Sequence, residues 1–474
     1  MADFTGKDLL DAGYKPEPWF GQYLDMVSEK RLSRSQALRG AEKAKKLWDD
    51  AQPKTIPLQD GVDFHINISP ENDAERANAK QVIDNFRELV KTPTVVAGAI
   101  MPDACPSEPG AIPVGGVIGA KNAIHPGMHS AYICCSMFLT VVDADPDDVL
   151  KAMSSVTHFG RGGRQDKRFD LDAGLLERFR GNDFLSNGKI IGAAHSHLGT
   201  QGDGNHFAYV GLNGQGKTVL VTHHGSRGVG GMLYKLGMKE AKKHTDKVSP
   251  ETSSKNAWIE ADSQVGQSYW DALQIVRAWT KENHRVLHDA ALAELELSID
   301  DRFWNEHNFV FQEDDVFWHA KGATPVHAGY LPDSNGTQII PMNMAQPILL
   351  VQGKKTATNH GFSPHGAGRN MSRTAHIKSK GDKSFEEIYK EETKGIKALF
   401  HSGKIDISEL PSAYKDADSV QRDMYKFNLA KVVDKIQPYG CIMAGEQEPE
   451  PWLKAKMEKK RKQREQENDN GPSM

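Results

Sequence analysis

The chain has 474 residues and a net charge of −4, with 38% hydrophobic and 26% charged residues, a globular balance with no run of about 18 apolar residues to span a bilayer. A weakly acidic whole argues against indiscriminate polyanion binding, so a nucleic-acid partner requires a local basic patch. Four cysteines (Cys105, Cys134, Cys135 and Cys441) without disulfide-like spacing, and a first segment with early acids and no apolar signal core, predict a cytoplasmic protein with reduced thiols and no membrane partner.

In chain order, Ala37, Ala41, Ala44 and Trp48 recur at helical spacing in a Lys/Arg/Glu-rich background that Pro53 and Pro57 close. This predicts a helical N-terminal arm over 1–60. Short apolar runs then alternate with Gly- and His-rich turns, among them TVVAGAIM, AYICCSMFLTVV, KTVLVTHH and QPILLVQG, which predicts a strand-rich body over 61–445 with loops exposed for chemistry. One long helix is expected between Trp258 and Leu297. From 446 to 474 a charged tail containing KKRKQR predicts a partly disordered appendage; acids interrupt its basic residues, which weakens a reading as an RNA-steering arm.

Nineteen histidines are the compositional oddity. GDGNHF puts Asn205 and His206 after a glycine turn at the mouth of a strand. HHGSRGVG ends another strand with His223 and His224, followed by a Gly225-Ser226-Arg227 turn whose amides and guanidinium suit a phosphate. WNEHNFV offers His307, and SPHGAGRNMSR offers His365 ahead of Arg369 and Arg373. Any one imidazole is ordinarily structural. Several, with the Cys135 thiolate, suit a borderline transition ion such as Zn, Mn or Co better than Ca or Mg. The run GLNGQGKT (211–218) matches a phosphate-binding loop pattern, but strand-like residues on both sides predict a hairpin turn instead.

GDGNHF, HHGSRGVG, NEHNFV, AKGATP and above all HGAGRNMSR, in this order, resemble the motif set of the RtcB family, the tRNA-splicing and RNA-repair ligases, over roughly 95–445. The resemblance implies an α/β (α+β) fold with a central strand-rich core, an active-site cleft and flanking helices. It implies that His365 attacks GTP and carries GMP, so that a 3′-phosphate or 2′,3′-cyclic phosphate RNA end is activated and joined to a 5′-hydroxyl end. One or two Mn2+ ions, or other divalent transition metals, would sit on the positions matching the family's ligands: Cys135, His206, His223 and His307. Asn205, Lys321, Asn343, Met344, Gly366, Gly368 and Arg369 would contact the nucleotide, and Arg227 and Arg373 would contact RNA or phosphate. Implied partners are RNA (tRNA halves or other cleaved RNA), GTP and an activating protein. A neutral imidazole is a good nucleophile near pH 7, which suits the role of His365.

Three positions depart from the family pattern. Tyr132 stands where an aspartate metal ligand belongs, which predicts a weakened first metal position or one completed by Asp103, His129 or Cys134. Tyr209 replaces a glutamate and Met443 a lysine at positions implied to read guanine, so a nucleotide other than GTP is allowed. The alternatives are an RNA-end or nucleotide-binding protein without catalysis, and a metal-dependent cyclic phosphoesterase.

Overall fold

The computed structural model describes residues 4–51, 55–331 and 334–447. The charged tail expected from 446 onward falls outside these residues after Gln447. The chain divides into two compact units, one running to Pro57 together with Asp246–Glu251, the other comprising Leu58–Thr245 and the chain from Thr252 onward.

In the first unit the helices Gly6–Asp11, Trp19–Glu29 and Arg34–Ala51 bury Leu9, Trp19, Tyr23, Val27, Ala37 and Ala41 against one another. Ala44 and Trp48 continue the stripe at its partly buried end. Alanine at 37 and 41 keeps the helices close, and the Tyr23 hydroxyl donates to the Ala37 carbonyl at 2.6 Å.

Two large sheets organise the second unit. The first runs in the order Phe64–Ile66, Val95–Cys105, Val114–Lys121, Val316–Lys321, Asn308–Glu313. The second has eight strands, in the order Gln338–Ile340, Ile348–Gln352, Lys431–Met443, Phe207–Leu212, Thr218–His224, Ser136–Val142, Asp301–Glu306, with Lys397–Phe400 pairing in parallel alongside Lys431–Met443. Side chains along these strands alternate between faces. Tyr209, Val219, Val221, Met137 and Leu139 enter one apolar cluster, whereas Ala208, Val210 and Leu220 enter another, beneath the helices Pro146–Val156 and Gln264–Ala293.

The long helix is Gln264–Ala293, shorter at both ends than the expected Trp258–Leu297. Its start is set by Ser263, whose side chain accepts the Gly266 N–H; Trp258 stays ahead of it as a buried anchor. The phosphate-loop-like run forms the expected hairpin. Asn213 N–H donates to Lys217 O at 3.0 Å between antiparallel strands, and Lys217 bonds Asp300. No helix follows it, so it lacks the strand-to-helix context a phosphate loop needs. No helix among the described residues is long and apolar enough to cross a membrane.

Candidate active site and metal centre

Four neighbouring antiparallel strands of the eight-stranded sheet end or begin at one edge. His206 immediately precedes Phe207–Leu212, His223 closes Thr218–His224, Cys135 immediately precedes Ser136–Val142 and His307 immediately follows Asp301–Glu306. Antiparallel pairing makes alternate starts and ends coincide, with Phe207 and Met137 opposite His223 and Ser136 opposite both His224 and Glu306. Residues far apart in sequence therefore arrive at one place.

Cys135 Sγ lies 3.2 Å from His223 Nε2 and 3.6 Å from His206 Nε2, and His223 Nε2 lies 3.2 Å from His307 Nε2. The donor atoms of Cys135, His223 and His307 all lie within 4.8 Å of one another, and all three residues are buried. Ligands about 2.0–2.3 Å from a tetrahedral ion stand roughly 3.3–3.8 Å apart, so the cluster fits metal binding. His223 Nδ1 faces the Asn205 carbonyl at 3.1 Å. A carbonyl only accepts, so Nδ1 carries the proton and the Nε2 lone pair faces the cluster. Burial depresses His223 to about 4 and holds His206 and His307 well below the ordinary imidazole value, while it pushes the Cys135 thiol up to about 12. The imidazoles are thus neutral donors at neutral pH, and thiolate formation requires a compensating cation.

His365 stands beside this cluster, its ring centroid 5.0 Å from that of His307. It follows the short strand Phe362–Pro364, whose pairing with Ala323–Pro325 sets it next to Gly322. Asp103, from the strand Val95–Cys105, is buried and accepts three hydrogen bonds on Oδ2: from His365 Nδ1 at 2.5 Å, from His365 N–H at 2.9 Å and from Gly366 N–H at 3.2 Å. The loop turns tightly over this aspartate. Gly368 has φ +72° and a side chain there would meet the Asp103 carbonyl at 2.0 Å, while one on Gly322 (φ +66°) would run into the His365 ring.

A basic cluster stands on the other side of the loop. The buried carboxylate of Glu409 accepts from Arg369 Nη2 at 2.6 Å, from Arg373 Nε at 2.8 Å and from the Tyr414 hydroxyl at 2.5 Å. One acid thus orients two guanidiniums and leaves a net positive charge. Arg369 Nη1 is buried without a partner among the described residues, as suits a group that meets an anion. Lys321 donates to Ile112 O at 2.8 Å, and burial lowers its pKa to about 8.

One cleft of about 1250 Å³ is lined by Cys135, Asn205, His206, His223, His307, Lys321, Asn343, Met344, His365, Gly366, Gly368, Arg369 and Arg373, which are all the expected site residues but one. Arg227 does not line it. Its guanidinium turns to Thr200 Oγ1 at 2.9 Å and to the carbonyls of Gly160 and Gly162 at 2.8 and 3.1 Å, which braces a loop. Of the groups considered as substitutes for the missing aspartate ligand, Asp103 is engaged by His365. His129 is buried with Nε2 3.0 Å from the Tyr269 hydroxyl, and Cys134 is buried outside the cleft lining. Tyr132 is exposed at the cleft mouth. Tyr209 and Met443 both line the cleft within an apolar wall that includes Phe207, Met344, Ile348 and Cys441, and the Tyr209 hydroxyl is spent on Ile436 O at 3.0 Å. Sequence reasoning passed over Glu409 and Tyr414, which carry no motif, and read Asp103 only as a spare metal ligand.

The family model for tRNA-splicing ligase RtcB matches residues 177–444, more than half of the chain. The chain belongs to the RtcB family. Its similarity to the tRNA-splicing ligase RtcB of Methanocaldococcus jannaschii is 27% identity over 343 residues, covering 62% of this chain and 34% of that protein. To the tRNA-splicing ligase RtcB of Aeropyrum pernix it is 27% over 330 residues, covering 59% and 66%. To the RNA-splicing ligase RtcB of Escherichia coli it is 25% over 382 residues, covering 73% and 89%. The strand-rich core with flanking helices is the α/β arrangement expected of an RtcB fold, and the matched span contains His206, His223, His307 and the whole loop from His365 to Arg373.

Proposed function

We propose that this protein is a metal-dependent RNA ligase that joins a 3′-phosphate or 2′,3′-cyclic phosphate end to a 5′-hydroxyl end through a nucleotide carried on His365. The observation that carries the reading is the pairing of a buried Cys/His donor cluster with a histidine whose Nδ1 is held by a buried aspartate, in a cleft also lined by Arg369, Arg373 and Lys321. With Nδ1–H donated to Asp103, the Nε2 lone pair of His365 is free to attack the α-phosphorus of GTP, forming an N–P bond as pyrophosphate leaves. The RNA 3′-phosphate then takes GMP from His365, and the 5′-hydroxyl oxygen displaces GMP as it loses its proton. A cyclic phosphate is first opened by water to the 3′-phosphate.

Cys135, His206, His223 and His307 would hold Mn2+ or another divalent transition metal, which supplies charge stabilisation at the phosphates. Arg369 and Lys321 offset the charge developing on the triphosphate, Arg373 faces RNA phosphate, and Asn205, Asn343, Met344, Gly366 and Gly368 shape the nucleotide site. Free thiols at all four cysteines support a cytoplasmic setting, where tRNA halves or other cleaved RNA would be the substrate and an activating protein would speed turnover.

The decisive test is incubation with labelled GTP, and separately ATP, in manganese. An acid-labile, alkali-stable protein adduct that is lost in His365→Ala supports the ligase. ATP is included because the apolar wall of Tyr209 and Met443 offers neither a carboxylate nor an ammonium to a guanine. A second reading, nucleotide or RNA-end binding without ligation, is favoured by Tyr132, an exposed phenol in place of a carboxylate ligand; absence of adduct with either nucleotide selects it. RNA carrying a cyclic phosphate separates joining from simple opening.

A further inference from the structure

A second concavity of about 520 Å³ adjoins the cleft, and Ser130 and Lys321 line both. One wall is a face of the helix Arg227–Val248, where Lys235, Lys239 and Lys242 recur at i, i+4 and i+7 and stand exposed. Among the described residues none of the three forms an ion pair; Glu240 on the same helix is taken by Lys243. Lys255 lies across the groove paired at 2.9 Å with Glu108, the sole acid of the lining. Five lysines against one glutamate, in a chain whose net charge is −4, form a local positive field of the kind a polyanion requires.

We propose that this groove carries the sugar-phosphate backbone of the RNA strand whose end enters the cleft, with Lys235, Lys239 and Lys242 each meeting a phosphate. The assignment rests on the ligase reading for which molecule occupies the cleft, and on charge and continuity for its path. Seven residues of helix rise about 10 Å, which spans about three intervals at about 3.4 Å of rise per phosphate, room for each of the three lysines to meet its own phosphate. Lysines are point charges without base-reading geometry, so the grip is independent of sequence. The lysines lie beyond the lining of the cleft itself, so a bare mononucleotide at His365 needs none of them.

The test is the full chain carrying Lys235→Gln, Lys239→Gln and Lys242→Gln together, glutamine being as good a helix former as lysine. Binding of 3′-phosphorylated oligoribonucleotides, one of about four and one of about twenty nucleotides, is titrated against salt, and the nucleotide adduct on His365 is measured in parallel. For the long RNA, the slope of log affinity against log salt becomes shallower by about two, from about 0.7 per phosphate contact, and affinity at low salt falls about ten- to a hundredfold. Affinity for the short RNA and adduct formation stay at the wild-type level, and a triple arginine variant restores the long-RNA slope. An unchanged slope and affinity for the long RNA in the folded triple variant overturns the proposal. Equal losses on the short and long RNAs overturn the assigned path. Wild-type protein that grips long RNA through these lysines yet forms no adduct removes the ligase reading and leaves the groove standing; wild-type protein that binds neither RNA removes both.

Discussion

Asp103 and His365 are 262 residues apart, and a single carboxylate oxygen, Asp103 Oδ2, receives both the ring Nδ1 and the backbone N–H of His365. The contact fixes the tautomer as well as the position of the ring: proton on Nδ1, lone pair on Nε2. Asp103→Asn keeps an amide oxygen for the two backbone N–H donors but removes the negative charge that holds the proton on Nδ1. Adduct formation should fall by about 10²–10⁴, the range seen when such a partner is neutralised, with the fold intact by circular dichroism. Wild-type adduct rates in Asp103→Asn would mean that Nδ1 needs no charged acceptor.

Metal loading should be coupled to proton release at Cys135. Burial holds the thiol at about 12, so below that pH an arriving ion must displace a proton, and affinity climbs as pH rises. Cobalt titrated into metal-free protein should give a thiolate-to-cobalt absorption band with about one proton released per ion. In Cys135→Ser the band vanishes. A band that survives this substitution places the ion elsewhere.

Tyr132→Asp should restore a carboxylate at the mouth of the cluster, where the phenol now stands exposed. Metal affinity should rise, on the order of tenfold, since one oxygen ligand or its hydrogen bond is typically worth that much. Measured by competition with a chelator, a weaker affinity in the variant would show that position 132 does not face the ion.

Glu409→Gln removes the counter-charge shared by two guanidiniums. A buried pair broken on one side costs about 3–5 kcal/mol, discounted here to about 2–3 because the Arg373 side chain is 54% exposed and screened. Denaturant melts should show that loss, and nucleotide binding should weaken as Arg369 loses its anchor. Equal stability of the two proteins would show that the pair contributes nothing net.

If Lys321 meets the nucleotide as proposed, the interaction should have a pH limit. Its ammonium is charged below about 8 and lost above it, so affinity for an anionic ligand is full below that value and declines as pH rises through it. Lys321→Arg keeps its charge and should flatten the profile between about pH 7 and 9.5. Parallel decline in both proteins would assign the pH dependence to another group.

Legibility followed locality. His206 and His223 were readable because each sits at a strand end beside a glycine-rich turn, whereas Cys135 and His307 were named by their place in the family's motifs; strand ends of one antiparallel sheet edge bring all four together. The hairpin at 211–218 was readable for the same reason, as β-like residues flank it on both sides. The long helix was readable in kind, but its ends were set by the Ser263 cap and not by the apolar pattern. The loop-bracing contacts of Arg227 were not readable, because its partners, Thr200 and the carbonyls of Gly160 and Gly162, come from a distant loop and nothing near residue 227 announces them. Glu409 escaped notice in a short 3-10 turn, Ile407–Glu409, whose neighbours carry no signal. His129 and Cys134 were nominated by nearness in sequence, yet the chain around them takes up left-handed backbone at Ser130 and Cys134, and nearness along a strand mouth does not survive such turns.

The adjacent imidazoles of His223 and His224 occupy opposite sides of one pleated strand, the second stacked on His284 at 3.4 Å with Thr222 bonded to both His284 and His288. Register therefore decides which of the two imidazoles joins the Cys135 and His307 donors. A hairpin zipped up one residue out of phase would still offer a ring to the ion, but it would drive Thr222 among Met137, Tyr209 and Val221's apolar neighbours and strip His284 of its partner. Correct phase is thus enforced by the Thr222–His284–His288 network, and the donor cluster on the opposite face inherits its geometry from that sorting.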